Sequence, residues 1–183
     1  LARCPSKQAV ISAYLPRYDL PDVKEYSPDH ILRMCIRRLG EEGDPQLVHL
    51  TGQYIHKSKA QVQLYRTPFV IANFMFARAE IWKKLPIDPH IYFYGDEISL
   101  SARLWTHGVD IYQPDCGVAF HRWLRPDQQK KQDYRKIRNT ESERSRQRVR
   151  NLLELARAHD TTAINELEQY GLGNIRPLAD FWE

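Results

Sequence analysis

Apolar residues run along this chain in short bursts, each closed by proline or glycine. "QAVISAYL", residues 8–15, predicts a strand cut off at Pro16, and the prolines of "PRYDLPDVKEYSPDH" predict a loop, since proline interrupts both ladder and helix. "HILRMCIRRLG" predicts a short helix stopped at Gly40, whereas "PQLVHLTGQYIH" (45–56) has the β-branched and aromatic content of a strand. "QVQLYRTPFVIANFMF" (61–76) reads as two extended pieces split at Pro68, and "ARAEIWKKL" as a turn or two of helix that Pro86 terminates.

A second helix is expected over 97–107, between Gly95 and Gly108, with Ile98, Ala102 and Trp105 on one face at i, i+4 and i+7. "VDIYQP" and "CGVAFHRW" then predict two more strands, so residues 69–123 read strand, helix, loop, helix, strand, an α/β layout. Past Pro126 the pattern changes. Thr140 and Glu143 have capping-box spacing, and Val149, Leu152, Leu153 and Ala156 form an apolar stripe, which predicts a helix with a basic outer face. Residues 162–170 predict a further short helix ended by Gly171 and Gly173, before an irregular tail.

Length and composition narrow the function classes. A chain of 183 residues, 42% hydrophobic and 27% charged, fits one ordinary soluble domain, and no apolar run approaches the roughly eighteen residues of a membrane span. There is no initiator Met and no signal-peptide pattern, so residue 1 reads as a cut or processed end. Cys4, Cys35 and Cys116 lie far apart with no metal-binding spacing, which favours buried thiols and a reducing compartment. The net charge of +4 is local: residues 122–150 hold eleven Lys/Arg against four Asp/Glu. That segment opens the alternative of a nucleic-acid-binding or other interaction module, although the aromatic residues needed to stack bases lie elsewhere.

The candidate chemistry lies in "YFYGDEISLSARLWTHGVDIYQPDCGVAFHRW", residues 92–123. Asp96 and Glu97 open the second helix, where free N–H groups and the macrodipole favour negative charge, so a capping role is one reading. Tyr92, Phe93 and Tyr94 just before them supply the other: aromatic walls make a cleft in which a carboxylate can meet sugar hydroxyls or hold a tuned pKa. His121, beside Arg122 and Arg125, is either a packed or surface histidine or a ligand, with no second ligand at metal spacing nearby. Asp88-Pro89-His90 formally spells D-x-H but reads better as a turn.

Together these pieces resemble the second half of glycosyltransferases of the GT-A fold. Residues 72–123 carry an asparagine-bearing strand (Asn73), a helix, an Asp-containing turn, an aromatic loop, an acidic pair after glycine, and then S-x-R-x-W, G, P and H, with Gly95, Asp96, Ser101, Arg103, Trp105, Gly108, Pro114 and His121 in order. Polypeptide N-acetylgalactosaminyltransferases have a similar block, with G-E-N where Gly95, Asp96 and Glu97 stand. More closely, the chain resembles the UDP-GlcNAc-dependent polypeptide N-acetylglucosaminyltransferases that modify hydroxyproline in a cytosolic protein, and their bacterial relatives. The acidic pair, "ARLWTHG", "YGLGNIRPL" (170–178) and "ISAYLPRY" (11–18) carry that likeness, which covers nearly the whole chain.

The resemblance implies a partial GT-A fold, a mixed sheet with flanking helices, as the acceptor-side domain over 1–126, and a basic helical C-terminal extension over 127–183. It implies metal-dependent, retaining transfer of a sugar, GlcNAc for preference, from a UDP-sugar to a protein or glycan hydroxyl, in the cytoplasm. Asp96 and Glu97 would be catalytic, Asp96 on the donor side and Glu97 on the acceptor side. Asn73, Tyr94, Gly95, Arg122 and Arg125 would bind substrate, the arginines matching diphosphate oxygens. His121 would complete the coordination of a Mn2+ or Mg2+ ion on the diphosphate. No D-x-D occurs anywhere in the sequence, and Asp88 and His90 stand in the wrong place to replace it. The expectation is therefore the C-terminal portion of a longer enzyme, continuing on both sides.

Overall fold

The computed structural model describes residues 1–16, 30–41, 44–56, 63–92, 95–121, 143–155 and 161–183. Its central element is a four-stranded mixed sheet made of β1 (Ala9–Ser12), β4 (Leu64–Arg66), β5 (Met75–Ala77) and β6 (Asp110–Pro114), in the order β4-β6-β1-β5. β1 runs parallel to β6, with Val10 opposite Ile111, and antiparallel to β5, with Val10 opposite Ala77. Two further strands, β2 (His30–Glu41) and β3 (Asp44–His56), form a separate two-stranded antiparallel sheet among the described residues. The fold is mixed α/β, as the pattern predicted.

The expected helix over "HILRMCIRRLG" is instead the strand β2. Helix propensity is a weak preference that partner strands override, and here β3 offers a continuous antiparallel register from His30↔His56 to Cys35↔Thr51 and beyond. The amide of Gln113, at the end of β6, adds a second constraint. Its Oε1 accepts from the Met34 N–H at 3.1 Å and its Nε2 donates to the Leu32 carbonyl at 2.6 Å, so one side chain pins the two-stranded sheet to the main sheet.

Two other expectations fail for local reasons. The described part of "CGVAFHRW", residues 116–121, does not form a strand: residues 117–120 are exposed, and the His121 N–H bonds to the Pro16 carbonyl at 2.9 Å, while Arg122 and Trp123 lie outside the described residues. The helix expected over 162–170 is broken into a 3-10 turn (Thr161–Ile164) and the short α4 (Leu167–Tyr170), with Glu166 between them at φ 56°. The cause is Arg148, whose Nη1 draws the carbonyls of Ala163 (3.1 Å) and Asn165 (2.6 Å) away from continued helix.

Helix α1 (Ala79–Lys84) ends before Pro86, and α2 (Asp96–Thr106) is the buried axis of the molecule. Ile98 and Ala102 pack with Met34, Phe69 and Ile71, and Trp105 packs against that same cluster, on the face the spacing predicted. Leu100 and Leu104 point the other way, into a second cluster with Val10, Val70, Ile81 and Ile111. With both faces covered, the polar side chains of α2 must satisfy themselves. Ser99, Ser101 and Thr106 donate to the carbonyls of Asp96, Glu97 and Ala102.

A third helix, α3, is described over 143–152. Val149 and Leu153 enter the first cluster together with Phe181, so the chain beyond 127 supplies part of the core that surrounds α2. The outer face of α3 is less basic than its sequence suggests. Arg148 is fully buried and holds Asp88 through an ion pair of 2.7 Å, and Arg146 pairs with Glu143 at 3.0 Å. Ala156 and Thr140 lie outside the described residues.

Candidate functional site

The acidic pair is placed by Gly95. That residue sits at φ +90°, a left-handed conformation that L side chains rarely adopt, and a β-carbon there would stand 2.6 Å from Cγ2 of Val149. Glycine thus lets the chain turn sharply into α2 while α3 presses directly on the turn. Gly95 acts through its backbone, and Tyr94 beside it lies outside the described residues. Tyr92 is exposed and its N–H donates to Ser145 Oγ at 2.7 Å, a second tie between this loop and α3.

The two carboxylates diverge in role. Asp96 Oδ1 accepts from the Glu97 N–H at 2.7 Å, so Asp96 serves one of the free amides of the first helical turn. Burial raises its pKa, and that amide bond offsets part of the rise. Glu97 reaches out of its helix, and its Oε1 accepts from the Ala72 N–H at 2.8 Å. Its pKa is pushed up to about 7, first by burial and further by the charge of Asp96, against the lowering effect of the Ala72 amide. A carboxyl poised near neutrality can take or give a proton under physiological conditions.

The loop that meets Glu97 is built to do so. Three consecutive amides of this loop go to side-chain oxygens rather than to a neighbouring strand: Val70 to Ser101 Oγ (2.9 Å), Ile71 to Ser12 Oγ (2.8 Å) and Ala72 to Glu97 (2.8 Å). Ser12 is the last residue of β1, so the chain of bonds places Glu97 at the carboxyl end of the parallel pair β1/β6, where open α/β sheets bind ligands. Asn73 follows in the same loop, and its Oδ1 is buried with no hydrogen-bond partner.

His121 is held at the same end of β1 by its bond to Pro16, four residues past Ser12. A cavity there is lined by Ala13, Tyr14, Leu15, Pro114, Cys116 and Val118 among others, and neither Asp96 nor Glu97 is among its lining residues. His121 is not among them either, so this cavity does not join His121 to the carboxylates, although both stand toward the same end of the sheet. Arg122 and Arg125 lie outside the described residues. No group of three or more His, Cys, Asp or Glu side chains able to hold a metal occurs among the described residues. The D-x-H pair is a turn, with Asp88 Oδ1 accepting from the His90 N–H at 3.0 Å while Oδ2 is taken by Arg148.

Sequence reasoning gave no role to Ser12, Ser101 or Arg148. Ser101 stands four residues after Glu97, and Ser12 interrupts an otherwise apolar strand. A small polar residue inside a buried element is the signal that could have found both. The late "YGLGNIRPL" segment straps the far end of α2: the Gly173 N–H donates to Thr106 Oγ1 (2.9 Å), and Trp105 Nε1 donates to the Pro177 carbonyl (3.1 Å). All three cysteines are free thiols. No helix of the described residues is long and apolar enough to cross a membrane.

Compared with known families, residues 1–183 match the model of one family, described as glycosyltransferase (GlcNAc). Neither the curated proteins nor the solved structures contain a match.

Proposed function

We propose, from the premise that this chain belongs to the glycosyltransferase (GlcNAc) family over residues 1–183, that it transfers GlcNAc from UDP-GlcNAc to a hydroxyl of a protein or glycan, with Glu97 as the acceptor-side base. Sugar transfer follows from the family; the donor, the acceptor and the residue roles are the proposal. The observation that carries it is the setting of Glu97: Oε1 is fixed by the Ala72 amide and burial lifts its pKa to about 7, while among the described residues no hydrogen bond engages Oε2, which in this reading meets the acceptor.

In the proposed step the acceptor hydroxyl gives its proton to Glu97 Oε2 as its oxygen bonds to the anomeric carbon. The bond from that carbon to the diphosphate oxygen breaks, and UDP leaves with the bonding pair. Asp96, next to Glu97 and braced by the helix start, would face the donor sugar, and Asn73 would contribute an amide to the same site. Gly95 shapes the site through its backbone. A GT-A architecture and retention at the anomeric carbon extend the same reading by resemblance, retention requiring that the acceptor oxygen enter on the face from which UDP departs.

A Mn2+ or Mg2+ ion on the diphosphate would stabilise the leaving charge. His121 is the one described residue that the resemblance assigns to it. The described residues by themselves do not assemble a metal site, and the proton transfer given to Glu97 requires none.

The test is UDP release from UDP-GlcNAc in the presence of hydroxyproline-, serine- or threonine-containing peptides or a glycan, with mass spectrometry of the acceptor. A mass gain of one HexNAc supports the reading. Turnover of UDP-glucose with no use of UDP-GlcNAc would refute the donor assignment.

A further inference from the structure

We propose that Ser101 is a positioning residue for Glu97, tying the backbone of that glutamate to the very loop whose amide grips its carboxylate; the inference rests on Glu97 being the acceptor-side base. The bonds form a closed circuit. Ser101 Oγ donates to the Glu97 carbonyl at 2.6 Å and accepts from the Val70 N–H at 2.9 Å. Two residues along the loop, the Ala72 N–H returns to Glu97 Oε1 at 2.8 Å. Glu97 is therefore tied to one loop twice, at its main chain through Ser101 and at its side-chain tip through the Ala72 amide.

The packing around this circuit fixes where the loop lies but not which way its amides point. Val70 sits in one apolar cluster and Ile71 in the other, so their side chains anchor the loop from opposite sides. The Val70 and Ile71 amides set the turn that leads into Ala72, whose N–H shares its planar unit with the Ile71 carbonyl, 3.4 Å from Ser12 Oγ. Ser101 takes the first of these amides and Ser12 the second. Both hydroxyls are fully buried, so water does not compete for either bond.

The other hydroxyls of α2 do not reach this loop. Ser99 bonds back to Asp96, and Thr106 bonds to Ala102 and Gly173 at the opposite end of the helix. Loss of the Ser101 hydroxyl would orphan the Val70 amide and free the loop to turn, which weakens the Ala72 bond to the carboxylate. That bond lowers the pKa of Glu97, while burial and Asp96 raise it. Asp96 is the one charged neighbour that acts on Glu97 among the described residues. Weakening the bond must then move the titration of Glu97 upward.

The experiment follows Glu97 directly. The whole chain is labelled with 13C at glutamate carboxyls, the Glu97 signal is assigned with Glu97→Gln, and its titration is compared in wild type, Ser101→Ala and Ser101→Thr. The acid limb of UDP-GlcNAc turnover is recorded in parallel. Ser101→Ala is expected to raise the midpoint by about half a pH unit or more, with the acid limb moving the same way. Ser101→Thr, which keeps the hydroxyl, is expected to restore the wild-type midpoint. A folded Ser101→Ala protein with an unmoved midpoint overturns the inference. Should that variant not fold, Ser101→Cys, with its weaker donor and acceptor, must move the midpoint in the same direction, and an unmoved midpoint there overturns it equally. An acid limb that survives Glu97→Gln dismisses the base assignment and this inference with it. A limb lost in Glu97→Gln beside an unmoved Ser101→Ala midpoint dismisses the role of Ser101 alone.

Discussion

Val149 packs directly on Gly95, its Cγ2 occupying ground that a β-carbon at position 95 would enter at 2.6 Å. A residue of α3 thereby sets the entry of α2 and the placement of both carboxylates. Gly95→Ala meets two penalties, the left-handed backbone at about 1–2 kcal/mol and overpacking at about 1–3 kcal/mol. Chemical denaturation is expected to register a loss of about 2–5 kcal/mol. Adding Val149→Ala should relieve the overpacking part, so the double variant will be more stable than the sum of the two single effects predicts.

Stability should depend on pH through Glu97. Its folded pKa of about 7 lies above the usual 4.5, so the native state holds the proton more tightly than the unfolded chain. The contribution of this group is fully favourable below about pH 4.5 and is lost as pH rises through about 7. Glu97→Gln, which keeps an oxygen for the Ala72 amide and carries no charge, should be more stable than wild type at pH 8 by about 1–3 kcal/mol. Thermal melts at pH 8 and at pH 4.5 check this, with the difference shrinking at the lower pH.

Arg148 and Asp88 are both buried, and their 2.7 Å ion pair joins α3 to the loop after α1. Removing one partner strands the other charge, at about 3–5 kcal/mol. Arg148→Met should lower stability by that amount, and Arg148→Met with Asp88→Asn should recover much of it. Denaturation of the two variants measures the difference.

Asp96→Asn should separate capping from chemistry. Asparagine keeps an oxygen for the Glu97 amide and is itself a good residue at a helix start, so the melting temperature should stay within about 2 °C of wild type. Sugar transfer is expected to fall at least about tenfold from loss of the donor-side charge. His121→Ala, by contrast, should raise the concentration of Mn2+ or Mg2+ needed for half-maximal rate. An unchanged metal titration would take His121 out of the metal assignment and leave it a structural residue that binds the Pro16 carbonyl.

Much of the centre of this fold was legible because its elements are short and end at hard stops. Pro86, Gly95 and Gly108 bound α1 and α2 within a residue or two of where they were expected, β1 stops at Ser12, short of Leu15 and Pro16, and the face of Ile98, Ala102 and Trp105 does enter the core. What could not be read depends on partners distant in sequence. β2 is a strand because β3 and Gln113 make it one, and the break in the 161–170 segment exists because Arg148 claims its carbonyls. The sequence singled out the acidic pair and set Asp96 on the donor side and Glu97 on the acceptor side, but not which carboxylate serves the helix start and which leaves the helix. Only the fold brings the Ala72 amide to Glu97, and spacing along one helix cannot anticipate a bond across 25 residues.

The central claim is that Glu97 handles the acceptor proton, and Glu97→Gln tests it most directly. With the fold verified by circular dichroism, its turnover of UDP-GlcNAc onto an accepted hydroxyl should fall by about 100-fold to 10,000-fold, and the residual rate should lose its rise through pH 7. A Glu97→Gln protein that turns over within about threefold of wild type, with the same pH profile, would contradict the account.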